Sequence, residues 1–300
     1  MKILLLGGNG QVGYELRRTL APLGELTVAT RSGELPDGAR CETLDLYAPE
    51  TFSSLIERAA PDIVVNAAGH TAVDRAEDEP ELAFLANAEA PAELARLCAR
   101  WGASLVHYST DYVFDGTANA PYREDHPTAP LGVYGASKLA GEQGIQASGV
   151  SHLILRTAWV YATRGRNFLR TMLRVGAERD ELRVVADQRG CPTPAWLIAD
   201  VTAQILGGGI RQPGVRHLVT QGDTTWHGFA EAIFNEAEIR GLIAPHPRVV
   251  PITTADYPTR ARRPAYSVMD GGLLRAEYAV SLPDWRQALA TTLGRDVVVG

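Results

Sequence analysis

Tyr134 and Lys138 stand four residues apart in the segment YGASK (134–138), so on a helix they share one face. That pairing suits reduction of a carbonyl, in which a hydride goes to carbon and a proton to oxygen. A phenol with an unperturbed pKa near ~10 is a poor match to neutral pH, and an ammonium beside it stabilises the phenolate left after proton transfer. A further hydroxyl bonded to the same oxygen would hold the carbonyl and stabilise developing charge. Thr110, in the run SLVHYSTDYVF (104–114), is the candidate. Tyr and Lys at this spacing are common on solvated helix faces, so the pair draws its weight from the elements that carry it.

The first of those elements is an anion-binding turn. GGNGQVG sets Gly7, Gly10 and Gly13 three residues apart, directly after an apolar run and at the opening of a helical pattern. Glycines there permit a tight turn, close approach of backbone to a pyrophosphate and close helix packing, while the helix N-terminus offers unpaired N–H groups. About twenty residues on, NAD-binding versions of this turn carry an acid for the ribose 2′-hydroxyl. Here the segment reads VATRSGE, and Arg31 suits a 2′-phosphate, which points to NADPH, with NADH as the alternative.

Apolar runs alternate with helical patterns through the first half: KILLLGG, Gln11 to Leu20, ELTVATR, Pro49 to Ala60, DIVVNAAG, Pro80 to Trp101, SLVHYSTDYVF, Tyr134 to Ala147 and HLILRTAWVYA. Near-continuous apolar strands with intervening helices predict an α/β fold, a doubly wound parallel sheet of Rossmann type. Ser109 and Thr110 then end a strand at the carboxyl edge, where such sheets bind ligands. Beyond Ala162 the rhythm loosens into RVVAD (183–187), a helix from Pro194 to Leu206, a GGG turn (207–209), VRHLVT (215–220) and a helix from Trp226 to Arg240, with prolines clustered over 245–264. The expected division is a dinucleotide-binding domain of residues 1–160 plus roughly 193–222, and a smaller C-terminal substrate-binding lobe of roughly 161–192 and 223–300.

A formal charge of −6 and a pI near 5.7 exclude a general nucleic-acid surface. Cys41, Cys98 and Cys191 are far apart and odd in number, which predicts neither a disulfide framework nor a metal site. The N-terminal apolar run, Ile3 to Leu6, is too short for a secretory signal or a membrane span. A cytoplasmic enzyme with no membrane partner is expected.

With these residues in place, the chain resembles the extended short-chain dehydrogenases/reductases, and within them the nucleotide-sugar reductases that complete dTDP-L-rhamnose synthesis. The resemblance runs along nearly the whole chain and is carried by GGNGQVG, VNAAGHTAVDRAE (65–77), YSTDYVFDG (108–116), APLGVYGASKLAGE (129–142), LRTAWVYA (155–162), DQRGCPT (187–193) and YPTRARRPAYS (257–267). It implies NADPH-dependent reduction at C4 of a dTDP-linked deoxysugar. It places Gly10, Gln11 and Val12 at the cofactor phosphates, Asp45 and Leu46 on the adenine side, and Ala68, Gly69 and His70 further along the cofactor. Tyr134 and Lys138 would also meet the nicotinamide ribose, Thr110 and Asp111 the sugar, and Trp159 would pack on the sugar's apolar CH groups. Arg260, Arg262 and Arg263 are candidates for the diphosphate. Some relatives form a metal-bridged dimer; Glu15 is present, but Trp196 stands where the second acid aligns, so a magnesium-linked dimer is not expected, and a monomer or weak homodimer is. The alternatives are another nucleotide-sugar reductase or epimerase, or a non-catalytic NADP-binding regulatory subunit.

Overall fold

A computed structural model describes residues 1–243 and 246–295; Pro245, at the head of the proline cluster, and the last five residues lie outside it. The first half contains β1 (Lys2–Leu6), α1 (Gln11–Leu20), β2 (Glu25–Thr30), β3 (Glu42–Thr43), α2 (Phe52–Ala59), β4 (Ile63–Asn66), α3 (Val73–Asp78), α4 (Pro80–Phe84), α5 (Ala90–Trp101), β5 (Ser104–Thr110), α6 (Val133–Ala147) and β6 (His152–Thr157). The second half adds β7 (Val160–Tyr161), α7 (Phe168–Gly176), β8 (Glu181–Val185), β9 (Arg189–Gly190), β10 (Thr193–Pro194), α8 (Ala195–Gly208), β11 (Gly214–His217), β12 (Thr224–Thr225), α9 (Trp226–Ile239), β13 (Arg248–Ile252), α10 (Gly272–Tyr278) and α11 (Trp285–Leu293).

Seven strands form one parallel sheet in the order β11-β6-β5-β4-β1-β2-β3. Its strands are apolar along their length because both faces are covered. Ile3, Leu5, Ile63, Val65, Val106 and Leu153 point into a core with α1, α8 and α10. Their neighbours Leu4, Leu6, Val64, Leu105 and Ile154 point into the opposite core with α2, α5 and α6. The winding reverses between β1 and β4, which opens a crevice at the carboxyl ends of the strands, where a doubly wound sheet receives its ligand.

A separate core of Tyr161, Leu169, Leu173, Leu182, Phe229, Phe234, Trp285 and Leu289 holds α7, α9 and α11 against the parallel pair β8–β13. VRHLVT supplies β11 of the main sheet, whereas RVVAD belongs to this smaller pair. Two expectations change. The GGG segment is not a turn throughout, since Gly207 and Gly208 continue α8 beyond the buried Leu206 and only Gly209, at φ 79°, stops it. The helix expected over Pro80 to Trp101 carries a π-helical turn at Leu85–Glu89 between α4 and α5.

Candidate active site

The glycines of the first turn have separate tasks. Gly7 takes φ 78°, and a Cβ there would sit 2.9 Å from the backbone of Ala67 and Ala68. At Gly13 a Cβ would run into the Gly7 carbonyl oxygen, so this residue brings α1 against the end of β1. Gly10 has extended backbone as the N-cap of α1, and its Cβ position meets nothing nearer than 3.4 Å. No side chain caps this helix and its first turn carries no acid. The N–H groups of Gln11, Val12 and Gly13 therefore face an open cradle with the positive end of the helix behind them, which fits a dinucleotide pyrophosphate. The Gln11 side chain is already engaged, accepting from Asn167 Nδ2 at 2.7 Å, which leaves its backbone for the anion. The same loop lays the Arg164 guanidinium 3.1 Å from the centre of the Tyr14 ring, a cation at the cradle that the sequence pattern did not single out.

On the β2 side Thr30 is buried and its hydroxyl donates to the Glu34 carbonyl, while the next residue, Arg31, is exposed and offers a cation to solvent. Asp45 accepts from the Tyr47 N–H at 3.1 Å, and Leu46 is a core residue whose side chain packs away from the crevice with Leu44 and Phe52. Past β4, Ala68 donates its N–H to Asn66 Oδ1. Gly69 is exposed, and His70 is pinned by Asn87, which accepts from the His70 N–H at 2.9 Å and donates to its carbonyl at 3.0 Å. Asn87 also donates to Ser137 Oγ on α6 at 3.1 Å. The π-helical turn presents Asn87, and Gly141 lets α6 approach its carbonyl so closely that a Cβ would collide with it.

Helix α6 carries Tyr134 in its first turn, next to the mouth of the crevice. The protein around the phenol pushes its pKa up to about 12, with the neighbouring Thr110 hydroxyl pulling the other way, so the group is protonated at neutral pH. The Tyr112 ring meets it edge-on at 5.6 Å. Thr110 accepts from the Tyr112 N–H and donates to Asp111 Oδ1 at 3.0 Å. Burial lifts the Asp111 carboxyl to about 6, and its Oδ2 has no partner.

Lys138 departs from the expected placement beside the phenol. Its Nζ turns back toward β5, donates to the Tyr108 carbonyl at 2.6 Å and lies 3.0 Å from His107 Nε2. Burial lowers its pKa to about 8, opposed by the charge of Glu142 one turn on. Glu142 in turn is held by Arg156 of β6, through Nε at 2.9 Å and Nη2 at 2.6 Å, and by the Ser109 hydroxyl at 2.5 Å.

Trp159 breaks the expected strand HLILRTAWVYA into β6 and β7 by taking φ 47°. Its indole stacks on Trp226 of α9 at 3.6 Å and 5°, with Gly190 against it, where a Cβ would come within 2.5 Å of the ring. Trp226, from the second half of the chain, was not foreseen. The three arginines part ways: Arg263 is bound by Asp74 at 2.7 Å and Arg260 pairs with Asp78 at 3.1 Å, both acids on α3, whereas Arg262 is exposed. Arg260 and Arg263 thus strap their loop to α3. Away from the crevice, Glu15 faces Arg18 and Arg295 at 3.6 and 3.9 Å, and Trp196 donates its indole N–H to Thr292.

An anion cradle and a phenol with a buried amine one turn behind it open onto the same crevice, and this combination defines a dinucleotide-dependent oxidoreductase of the short-chain dehydrogenase/reductase class. The family model described as RmlD substrate binding domain matches residues 1–297. The chain is 48% identical over 300 residues to dTDP-4-dehydrorhamnose reductase of Burkholderia thailandensis, covering 96% of this chain and 97% of that one. It is 42% identical to a probable dTDP-4,6-dihydroxy-2-methyloxan-3-one 4-ketoreductase of Streptomyces antibioticus, covering 96% and 93%. Among solved structures, dTDP-4-dehydrorhamnose reductase of Bacillus anthracis in complex with NADP superimposes with a TM-score of 0.88 at 33% identity, over 99% of this chain and 100% of that one. The chain belongs to the dTDP-4-dehydrorhamnose reductase family.

Proposed function

We propose that this chain reduces dTDP-4-dehydro-β-L-rhamnose at C4 to dTDP-β-L-rhamnose with NADPH, in the cytoplasm, as the last step of dTDP-L-rhamnose synthesis. The observation that carries the reading is the protonated Tyr134 beside Thr110 at the mouth of the crevice that the anion cradle enters. The N–H groups of Gln11 to Gly13 hold the pyrophosphate, and Arg31 meets the 2′-phosphate. Asp45 and the backbone of Leu46 border the adenine, and Ala68, Gly69 and His70 border the rest of the cofactor. When bound, the reduced dinucleotide supplies the hydride. Tyr134 gives its proton to the C4 oxygen, Thr110 steadies that oxygen, Asp111 binds a sugar hydroxyl, and the partly buried Trp159 packs on the apolar side of the ring. Arg262 is the arginine of its loop best placed for the diphosphate, since its two neighbours are paired. We assign residues 1–160 and roughly 193–222 to the cofactor, together with α10, which packs in the core of the main sheet, and the remainder to the sugar nucleotide. A monomer or weak homodimer without magnesium, nucleic acid or membrane partner fits this reading, and no helix of the described residues is long and apolar enough to cross a membrane.

NADPH oxidation with dTDP-4-dehydrorhamnose tests the assignment. The wild type turns over, and Tyr134→Phe loses roughly 10²–10⁴-fold in kcat while still binding NADPH. Binding of NADPH with no turnover of any nucleotide sugar would instead favour a regulatory subunit. The Streptomyces relative gives a second reading, a ketoreductase for another dTDP-sugar, distinguished by comparing kcat/KM across 4-keto sugars and identifying the product.

A further inference from the structure

His107, within β5, and Asn66, at the end of β4, lie in the buried middle layer, each 1% exposed. Asn66 Nδ2 lies 3.1 Å from His107 Nδ1, and Lys138 Nζ lies 3.0 Å from His107 Nε2. A neutral imidazole accepts at one nitrogen and donates at the other. The Asn66 amide is not free to turn, because its Oδ1 accepts from the Ala68 N–H at 3.1 Å, which directs its NH2 to the imidazole. Nδ1 therefore accepts, the ring proton is on Nε2, and that N–H points at Lys138. The 3.0 Å contact is then a hydrogen bond only when Nζ offers a lone pair, that is, as the neutral amine.

We propose that Asn66 and His107 are positioning residues for Lys138: they seat the neutral amine against β5 and turn the ammonium away, toward Tyr134. The other groups facing this position are Glu142, one turn on in α6, and the Tyr108 carbonyl of β5, with the Tyr134 phenol one turn back on the same helix face. The Tyr108 phenol points to the opposite face, bonded to Thr202, and Arg156 of β6 is engaged by Glu142. Glu142 favours the ammonium, burial favours the amine, and burial wins, which puts the exchange near pH 8. His107 itself stays neutral, since burial and the Lys138 charge hold its pKa well below the ordinary value.

The arrangement gives Lys138 two seats that differ by one proton. After Tyr134 has protonated the carbonyl oxygen, the ammonium in the site transfers one N–H proton to the phenolate. The phenol is restored, and the resulting amine retires to His107 until it takes a proton from water. Asn66 also ties this exchange to the cofactor-side loop, through Ala68. The catalytic meaning rests on the reductase reading, but the tautomer does not.

The test is a long-range ¹⁵N–¹H correlation spectrum of the full chain labelled at histidine, with the His107 signals assigned by their loss in His107→Gln. The wild type is expected to show the Nε2–H tautomer at pH 9, and Lys138→Met is expected to shift the Nε2 resonance. Asn66→Asp, which offers an acceptor where the NH2 stood, is expected to move the proton to Nδ1, raise the alkaline limb of kcat/KM by ~1 pH unit and lower kcat ~10-fold with the sugar KM unchanged. An Nδ1–H tautomer or an imidazolium in the wild type overturns the proposal, and that spectrum decides even if a variant fails to fold. An Asn66→Asp protein with the wild-type tautomer or an unmoved alkaline limb also overturns it. Absence of turnover beside an Nε2–H tautomer would count against the reductase reading alone.

Discussion

Glu142→Gln removes the charge from one half of an ion pair that has almost no contact with water. The Glu142 and Arg156 side chains are 2% and 5% exposed, joined through two N–H···O contacts, and Arg156 Nη1 has no partner even in the intact pair. Neutralising the acid strands a guanidinium charge beneath the sheet edge. Losing one partner of a buried pair costs about 3–5 kcal/mol, a large part of a stability of roughly 5–15 kcal/mol. At about 2–4 °C per kcal/mol for large domains, the melting midpoint should fall by roughly 6–20 °C. Circular dichroism melts at pH 7 of Glu142→Gln, Arg156→Met and the double variant Glu142→Leu/Arg156→Met measure it. The double variant should recover most of the loss, because an apolar pair of similar volume leaves no orphan charge. A single-variant cost under about 1 kcal/mol, or a double variant whose loss equals the sum of the singles, would refute the reasoning. Glu142 also holds up the Lys138 pKa, so Glu142→Gln should move the alkaline limb of kcat/KM to lower pH.

Three further outcomes follow from the site. Lys138 falls from an ordinary 10.5 to about 8, a gap worth about 3 kcal/mol. The folded state thus bears the full cost below pH 8 and none above 10.5, so Lys138→Met should melt higher than wild type at pH 7, lose that advantage toward pH 10.5 and lack turnover. Asp111 rises from 3.8 to about 6, so its burial costs nothing below pH 3.8 and most above pH 6. Asp111→Asn should gain about 3 kcal/mol at pH 8 and weaken the sugar KM; equal melting shifts at pH 3.5 and pH 8 would remove the basis for this. Arg31→Ala should raise KM for NADPH about tenfold with NADH unaffected, and equal effects on both cofactors would show that Arg31 does not meet the 2′-phosphate.

The parts legible in the sequence were those fixed by local pattern. Strands buried on both faces read as apolar runs, and Gly7 and Gly13 declared their turn because no other residue tolerates those approaches, whereas Gly10 leaves room at its Cβ position. The two residues of β3 carry no periodicity, and the π-helical turn at Leu85–Glu89 looks like helix in any pattern. Pairings such as Arg263 with Asp74 join residues remote in the chain and leave no local trace. Lys138 was read as the phenol's neighbour because helix spacing reports which face a side chain occupies, not which way a flexible stem bends. His107 and Asn66 did leave a sign, a single imidazole and a single amide inside runs otherwise suited to a core. Such residues must find partners when buried, and the partner here was the Lys138 amine.

The stacked indoles of Trp159 and Trp226 give the molecule its own optical gauge. One ring comes from the end of the sheet and the other from α9, so their overlap depends on how the two cores sit together. Two parallel chromophores at 3.6 Å couple their transitions, so a sugar seated on Trp159 as proposed, like any slip of α9, would change that coupling. Ligand arrival can thus be followed in the near-ultraviolet spectrum of the unlabelled protein, separately from hydride transfer.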